Sequence, residues 1–239
     1  MSIKIHHGAN GSYKTSGAVM DDFIPKVREG RLVVTNVRGI TRERCENAMM
    51  PLSFYERWIL RKKAPYRKVF PEIPDSFDVI HVNTDTVEGA EKLRRWFHWV
   101  PHGAFLLIDE VQSVWPDRMN ARDISALDYP GGKDAALRDN RPSDWLDAFT
   151  RHRHFGWDMT LTTPNIKYVR DDIRLTSEGA FKHKNKALVG FRGHYMEGFH
   201  DAQENGLTSQ LVSIADKKIS REVWGLYELP PKFRLPRVT

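Results

Sequence analysis

The sequence has little cysteine and no long apolar run. A single cysteine, Cys45, occurs among 239 residues, which excludes an internal disulfide and a zinc site built from cysteines. The longest apolar runs, such as 104–108, are far shorter than the roughly 18–20 residues needed to cross a bilayer. The N-terminus also lacks the apolar core of a signal peptide. We therefore expect the chain as given to be soluble.

Several catalytic patterns are missing as well. No G-x-S-x-G or H-E-x-x-H motif occurs, and no Cys/His pair stands out. The histidines of 6–7 and of the basic segment 151–154 are not predicted to bind a metal ion, because no convergent third ligand is evident. Serine hydrolases and zinc proteases of the common types are thereby excluded.

The composition is that of an ordinary globular protein. Hydrophobic residues make up 40% of the chain and charged residues 28%, with a net charge of +6 and a pI near 9.4. This length suffices for one large α/β domain. The moderate basic excess is compatible with contact to nucleic acid or to an anionic membrane surface but requires neither.

Apolar segments alternate with segments of helical spacing. Strands are predicted at 3–7, 31–37, 77–82, 104–108 and 159–163, and helices at 15–29, 41–63, 87–99 and 143–155, with Pro25 kinking or ending the first helix. Wholly apolar strands between helices indicate a parallel sheet covered on both faces. We predict an α/β core over 1–178 and a small β-rich extension of the same domain over 179–239. Segment 128–144 is expected to be irregular.

The stretch HHGANGSYKTSG nearly matches a phosphate-binding loop. The pattern G-x-x-x-x-G-K-[ST] places Gly8, Lys14 and Thr15 as required, but Tyr13 stands where the second glycine belongs. Such a loop binds phosphates through its backbone N–H groups and lysine, so residues Gly8, Ala9, Asn10, Gly11, Ser12, Tyr13, Lys14, Thr15 and Ser16 are the predicted nucleotide-binding set. A tyrosine in the backbone geometry of that glycine costs about 1 kcal/mol or more, which the loop would either tolerate or avoid by reshaping.

An acidic pair follows a second apolar strand. In GAFLLIDEVQSVWP, Asp109 and Glu110 come directly after four apolar residues. The carboxyl end of a parallel strand is the edge where open α/β sheets bind ligands. We predict that Thr15 and Asp109 hold Mg²⁺ and that Glu110 polarises the water that attacks the γ-phosphate of ATP.

Two further assignments rest on weaker patterns. Thr163, with Asn165 as second choice, ends the strand at 159–163 and is the candidate sensor of the γ-phosphate, although a plain Thr-Pro turn explains it equally well. In RHRH at 151–154, Arg151 or Arg153 is a candidate arginine finger that would reach a neighbouring subunit. The alternative is a basic helix end that complements the helix dipole.

Together, GANGSYKTSGAVM, GAFLLIDEVQSVWP and RHRHFGWDMTLTTPN resemble, in this order, the Zot-like (zonula occludens toxin) proteins. This family is homologous to the assembly ATPase of filamentous bacteriophages, and the resemblance covers roughly residues 1–175. It implies a RecA/FtsK-like P-loop ATPase that uses ATP and Mg²⁺. Family members tolerate a bulky residue before the lysine, whereas Thr163-Pro164-Asn165 departs from the glutamine that many carry there.

The resemblance also implies partners and a location. It predicts a homo-oligomer that works with phage coat or assembly proteins and single-stranded DNA. It places the domain on the cytoplasmic face of the bacterial inner membrane, to which a transmembrane segment absent from this chain would attach it. Two alternatives stay open: a nucleotide-binding scaffold or toxin module that does not hydrolyse, and a small P-loop phosphotransferase.

Overall fold

A computed structural model describes residues 2–49, 73–187 and 190–227. Its strands are β1 (Ile3–His7), β2 (Leu32–Thr35), β3 (Asp78–His81), β4 (Phe105–Ile108), β5 (Asp158–Thr163), β6 (Gly179–Asn185), β7 (His194–His200) and β8 (Ser213–Lys218). The α-helices are α1 (Lys14–Ala18), α2 (Ile24–Arg28), α3 (Arg42–Met49), α4 (Val87–Arg94), α5 (Trp96–Trp99), α6 (Val111–Val114), α7 (Ala121–Ser125), α8 (Gly132–Arg138), α9 (Trp145–Thr150), α10 (Asp171–Thr176) and α11 (Arg221–Leu226). Short 3₁₀ segments lie at His152–Phe155, Ile166–Tyr168 and Thr208–Gln210.

The strands form one sheet in the order β3-β2-β4-β5-β1-β6-β7-β8. The pairs from β3 to β6 are parallel, and β7 and β8 continue the sheet antiparallel. In the register of the central strands, His7 lies opposite Thr163 and Ile108 opposite Leu161. The segments that follow β1, β4 and β5 therefore emerge side by side at the carboxyl edge of the sheet, which confirms the predicted α/β fold.

Helices cover the sheet on both faces, and each face has its own apolar core. One core includes Trp96, Trp115 and Trp157, and the other includes Phe23, Phe77 and Tyr195. All residues of β4 and β5 are buried. Burial on both faces is why these parallel strands read as continuous apolar or Thr-rich runs rather than as alternating ones.

Three helical segments differ in detail from the sequence predictions. The first helix does not end at Pro25: a π-helical turn, Val19–Phe23, joins α1 to α2 and the helical run continues to Arg28. Segment 87–99 is broken at Arg95 into α4 and α5. The helix predicted at 143–155 begins at Trp145, because its cap is Asp144, whose side chain accepts a hydrogen bond from the Asp147 N–H.

Segment 128–144 was expected to be irregular but contains α8. Of the helix predicted at 41–63, α3 forms at 42–49, and the remainder lies outside the described residues. Within the three described ranges, no helix combines the length and the hydropathy required to span a bilayer.

The segment from Gly179 onward belongs to the same sheet. Strand β6 pairs in parallel with β1, and β7 and β8 extend that edge as antiparallel strands. Helix α11 packs against α3 on one face of the sheet. The C-terminal extension therefore borders directly on the strand that leads into the glycine-containing loop.

Candidate functional site

The loop of residues 8–13 connects β1 to α1 at the carboxyl edge of the sheet. Gly8 is enclosed: a Cβ placed on it would lie 2.5 Å from the His183 carbonyl oxygen. Its N–H donates to the Thr163 carbonyl 3.3 Å away. At the middle of the loop, Asn185 on β6 donates a 2.7 Å hydrogen bond to the Gly11 carbonyl. Glycine at position 8 is therefore required by the close approach of β6.

Tyr13 keeps the backbone conformation that a glycine would adopt. Its φ and ψ are 67° and 22°, in the left-handed region, where a side chain costs about 1 kcal/mol or more. Its hydroxyl accepts a hydrogen bond from the Gly193 N–H at 3.1 Å, and its ring packs against Tyr195 and Trp224. These contacts to the C-terminal extension offset the backbone cost, so the departure from the glycine pattern ties the loop to β7 and α11.

Lys14 and Thr15 meet the acidic pair across the end of β5. Lys14 Nζ lies 3.2 Å from Glu110 Oε1, and the lysine side chain is 8% exposed. Thr15 Oγ1 donates to Asp109 Oδ1 at 2.9 Å. The two motifs are separated by more than 90 residues in sequence, and the strand order β4-β5-β1 brings them into direct contact.

Asp109 is half-buried at the cleft and has several polar partners. Besides Thr15, the Thr162 hydroxyl donates to the same carboxylate oxygen. Burial raises the pKa of Asp109, the Thr162 hydrogen bond opposes this shift, and the neighbouring charge of Glu110 raises the pKa further. A half-buried carboxylate in contact with hydroxyls, with one lysine nearby, is a site where an added cation would be strongly favoured.

Asn36, at the end of β2, was missed in the sequence. Its Oδ1 accepts from the Asp109 N–H at 2.7 Å, and its Nδ2 donates to the Asp109 carbonyl at 2.9 Å and to Thr84 Oγ1 at 3.1 Å. The sequence could have indicated Asn36 as a site residue, because it follows a buried parallel strand whose carboxyl end lies at the same edge of the sheet. The Asn36 side chain therefore holds the acidic segment in place by hydrogen bonds to the backbone of Asp109.

Gln112 is the second residue that the sequence did not reveal. Its Oε1 accepts from Thr163 Oγ1 at 3.0 Å, and its Nε2 donates to Glu110 Oε2. Thr163 is thereby connected to Glu110 through one amide. Glu110 itself has a left-handed backbone, with φ 51°, which turns its side chain away from the strand direction. No spacing rule predicts a glutamine in this role.

Lys14, Thr15, Asn36, Asp109 and Glu110 line a cleft of about 650 Å³. Its walls come from the loop, the ends of β2 and β4, and the C-terminal extension: residues 10–16, 36–38, 84–85, 109–110, Ser113, Trp224 and Tyr227. Tyr227 also shares a 2.6 Å hydrogen bond with Ser16. The volume is in the range of small-molecule sites, and the polar groups converge at one end.

The two candidate arginines lie elsewhere. Arg151 pairs with Asp147 at 3.2 Å and Arg153 pairs with Glu178, and both side chains are more than half exposed. They precede β5, at the amino edge of the sheet, whereas the loop and the acidic pair lie at the carboxyl edge. Within one chain the structure does not bring them to the cleft. Asn165 caps the 3₁₀ segment that follows, accepting from the Lys167 N–H.

Fold and site together define the class of protein: this is an α/β protein with the P-loop NTPase fold. The chain belongs to the zonular occludens toxin family, since the family model described as Zonular occludens toxin (Zot) matches residues 2–230. It is 37% identical over 228 residues to the zona occludens toxin of Vibrio cholerae serotype O1. That match covers 95% of this chain and 51% of the relative, so the chain spans about half the length of the curated relative it matches.

A solved structure of the same family shows the same fold. The crystal structure of the N-terminal domain of zonular occludens toxin from Neisseria meningitidis aligns with a TM-score of 0.55 and 18% identity. The alignment covers 95% of this chain and 98% of that one. The resemblance inferred from the three sequence segments is thereby confirmed at the level of family and fold.

Proposed function

We propose that this chain binds Mg²⁺-ATP in the cleft and hydrolyses it. The observation that carries the proposal is the double contact between the two motifs, Lys14 with Glu110 and Thr15 with Asp109. A phosphate loop, a hydroxyl, a half-buried carboxylate and a second carboxylate within one cleft are the parts that phosphoryl transfer requires.

The loop amides and Lys14 would bind the phosphates. Lys14 is buried and its only ion-pair partner among the described residues is Glu110, so the lysine charge is available to a polyphosphate that displaces this contact. Displacement would also release Glu110, which then keeps its hydrogen bond from Gln112. In this geometry, a nucleotide that binds Lys14 would at the same time release Glu110, the proposed general base.

Thr15 and Asp109 would hold the magnesium ion. Both offer oxygen atoms, the ligands that Mg²⁺ prefers, and they are in hydrogen-bond contact at 2.9 Å. The raised pKa of Asp109 arises from its burial and from Glu110, and a cation would relieve both causes. Bound there, the ion would neutralise charge on the phosphates. Thr163 would act as the γ-phosphate sensor through Gln112, which connects its hydroxyl to Glu110 by hydrogen bonds.

The wider role is proposed from the family. We propose an oligomeric ATPase in which Arg151 or Arg153 of one subunit reaches the cleft of the next. Since both arginines lie at the amino edge, such contacts require a head-to-tail arrangement. Filamentous phage assembly with coat proteins, export of single-stranded DNA and a position at the inner membrane are part of this proposal, as is any toxin activity.

Nucleotide binding and hydrolysis are tested separately. Mg²⁺-ATP binding and turnover would be measured for wild type, Lys14→Ala and Glu110→Gln, with the exposed Lys133→Ala as the matched control. We expect Lys14→Ala to lose binding, Glu110→Gln to bind without turnover, and Lys133→Ala to resemble wild type. Unchanged binding by Lys14→Ala contradicts the phosphate-loop assignment.

The alternatives give different results in the same assay. A wild-type chain that binds but never turns over, with or without single-stranded DNA, is a nucleotide-binding scaffold. The observation that favours this alternative is the ion pair between Lys14 and Glu110, because the lysine and the proposed base then engage each other. Turnover that depends on a small phosphate acceptor indicates a phosphotransferase instead.

A further inference from the structure

Behind the phosphate loop, three buried side chains from three strands converge. They are His6 on β1, His183 on β6 and Glu197 on β7, with exposures of 1%, 3% and 6%. One nitrogen or oxygen atom of each lies within 4.8 Å of the others. The sequence suggested no third ligand for His6, because the two partners follow it by 177 and 191 positions in the chain.

The ligand atoms have the separations of a small coordination sphere. His6 Nδ1 and His183 Nε2 are 2.8 Å apart, and His183 Nε2 lies 3.6 Å from Glu197 Oε2. In a tetrahedral zinc site with bonds near 2.0–2.1 Å, neighbouring ligand atoms lie about 3.3 Å apart. These two separations lie on either side of that value, and all three ligand atoms lie within 4.8 Å of one another, so an ion would require the side chains to rotate towards a common centre.

The other ligating atoms of His6 and Glu197 are held by neighbouring groups, whereas His183 Nδ1 makes no hydrogen bond among the described residues. His6 Nε2 lies 2.9 Å from Asp22 Oδ2, and Asp22 in turn accepts from Lys4 at 2.7 Å. Glu197 Oε1 accepts from Lys217. A histidine that points one nitrogen at a carboxylate and the other at a shared centre is the usual arrangement of a metal-bound imidazole, since the carboxylate fixes its tautomer and orientation.

One oxygen at the centre has no partner. Glu197 Oε2 is buried and makes no hydrogen bond in the part of the chain that the structure describes. The connected side chains also include three carboxylates, of Asp21, Asp22 and Glu197, and two lysines, Lys4 and Lys217. A buried carboxylate oxygen without a donor favours a cation.

We propose that His6, His183 and Glu197 form a binding site for a divalent transition-metal ion of the zinc class. Two imidazoles and a carboxylate suit zinc, cobalt or nickel and disfavour Mg²⁺, which prefers oxygen ligands. The ion joins β1, β6 and β7. It is distinct from the Mg²⁺ assigned to Thr15 and Asp109, and it does not depend on nucleotide binding.

The position of this site gives it a structural effect on the loop. His6 stands two residues before Gly8, and the His183 carbonyl oxygen limits the space at Gly8. The His183 ring also packs against α1, where a Cβ placed on Gly17 would meet it at 2.6 Å. An ion that fixes the His183 ring would therefore also fix the position of β6 next to Gly8 and of the ring against α1, which together support the phosphate loop.

The test uses the whole chain, freed of metal with a chelator and titrated with Co²⁺. We expect visible d–d absorption that saturates at one ion per chain and is displaced by Zn²⁺, and a higher thermal midpoint with Zn²⁺. His183→Gln and Glu197→Gln should lose the absorption, and Asp22→Asn should weaken binding by about 10- to 100-fold. The exposed His81→Gln, on β3, is the matched control and should bind as wild type does.

A second variant keeps the proposal testable if the glutamine variants do not fold. His183→Cys retains a ligand at this position, so its Co²⁺ complex should add a thiolate charge-transfer band that wild type lacks. Absence of saturable absorption in the wild type overturns the proposal. It would show that the cluster is a hydrogen-bonded chain in which His183 donates to His6 and His6 donates to Asp22. Absorption that persists in both glutamine variants overturns it equally.

Discussion

The two ends of the central strands carry aspartates in opposite settings, Asp158 buried and Asp109 half-buried. Asp109 lies at the carboxyl edge, after β4, and Asp158 opens β5 at the amino edge. Asp158 is paired with Arg31, has Lys26 at 3.6 Å and accepts from the Ser2 N–H at 2.6 Å. Asp109 has hydroxyl donors, and the one cation near it among the described residues, Lys14, contacts Glu110 instead.

The pKa values of the two carboxyls move in opposite directions. Burial alone would raise both. At Asp158 the hydrogen bonds from Arg31 and Ser2 and the charges of Arg31 and Lys26 outweigh burial and lower the pKa. At Asp109 burial prevails and Glu110 adds to it, so the pKa is raised. The amino edge thus contains a completed ion pair, whereas at the carboxyl edge the Asp109 carboxylate contacts hydroxyls and Lys14 pairs with Glu110 instead. The first arrangement stabilises the fold, and the second suits a site.

The largest expected effect is a loss of ATP turnover at the carboxyl edge without a loss of stability. Asp109→Asn should reduce ATP turnover by about 100-fold or more, roughly 2.7 kcal/mol in the barrier, because the amide cannot replace the charge that holds Mg²⁺. The free energy of unfolding should stay the same or rise, because the raised pKa of Asp109 means that its charged form is less favourable in the folded than in the unfolded chain. Steady-state turnover and urea unfolding measure the two quantities. A large loss of stability would contradict the contrast between the edges.

The reverse is expected at the amino edge. Asp158→Asn should lower the free energy of unfolding by about 3 kcal/mol, because it leaves the Arg31 charge without its buried partner. Turnover per folded molecule should remain that of wild type, since Asp158 is at the opposite edge from the cleft. Urea unfolding with parallel activity measurements checks both. Equal loss of activity and stability would show that the edges are not independent.

The same variant makes a pH prediction. The pKa of Asp158 is lowered on folding, so its contribution to stability is present above the ordinary aspartate pKa and is lost as the pH falls towards the lowered folded value. The stability difference between wild type and Asp158→Asn should therefore be full at pH 7 and shrink below about pH 4. A difference that is independent of pH over this range would exclude the ion pair as its cause.

Much of this contrast could be predicted from the sequence, but only at one edge. The chemistry of phosphate binding sets the spacing of the patterns that contain Lys14, Thr15, Asp109 and Glu110. The sequence alone therefore selects these four residues as candidates. The strand-helix alternation also predicted the sheet. Asp158 was not singled out, because its partner Arg31 lies 127 positions earlier, and pairings across a sheet leave no local signal.

The same limit explains the other omissions. Gln112 and Asn36 act through contacts with residues on different strands. The convergence of His183 and Glu197 on His6 depends on which strands are neighbours. The π-helical turn before Pro25 and helix α8 were missed because local propensity does not report the packing that stabilises them.

Tyr13 offers a smaller test, within the carboxyl edge. Tyr13→Phe removes the hydroxyl that accepts from the Gly193 N–H while keeping the ring contacts with Tyr195 and Trp224. We expect a loss of about 1 kcal/mol in unfolding free energy. ATP affinity should weaken only slightly, because the loop amides and Lys14 are unchanged. Unfolding and ATP titrations of the two proteins measure this, and an unaltered stability would mean that the loop is not anchored to the extension by this bond.

The smallest expected effect on stability concerns the exposed arginines at the amino edge. Arg151 pairs with Asp147 one helical turn earlier and Arg153 pairs with Glu178, both at the surface. Such pairs contribute about 0.5 kcal/mol or less, so Arg151→Ala and Arg153→Ala should leave unfolding nearly unchanged. If one of them is the arginine finger, that variant alone should lose turnover at high protein concentration while retaining ATP binding. Mixing it with Glu110→Gln should restore part of the turnover, because a mixed interface then combines an intact arginine with an intact base. Two variants with wild-type turnover at every concentration would assign both arginines to surface pairing alone, and the amino edge would then have no part in catalysis.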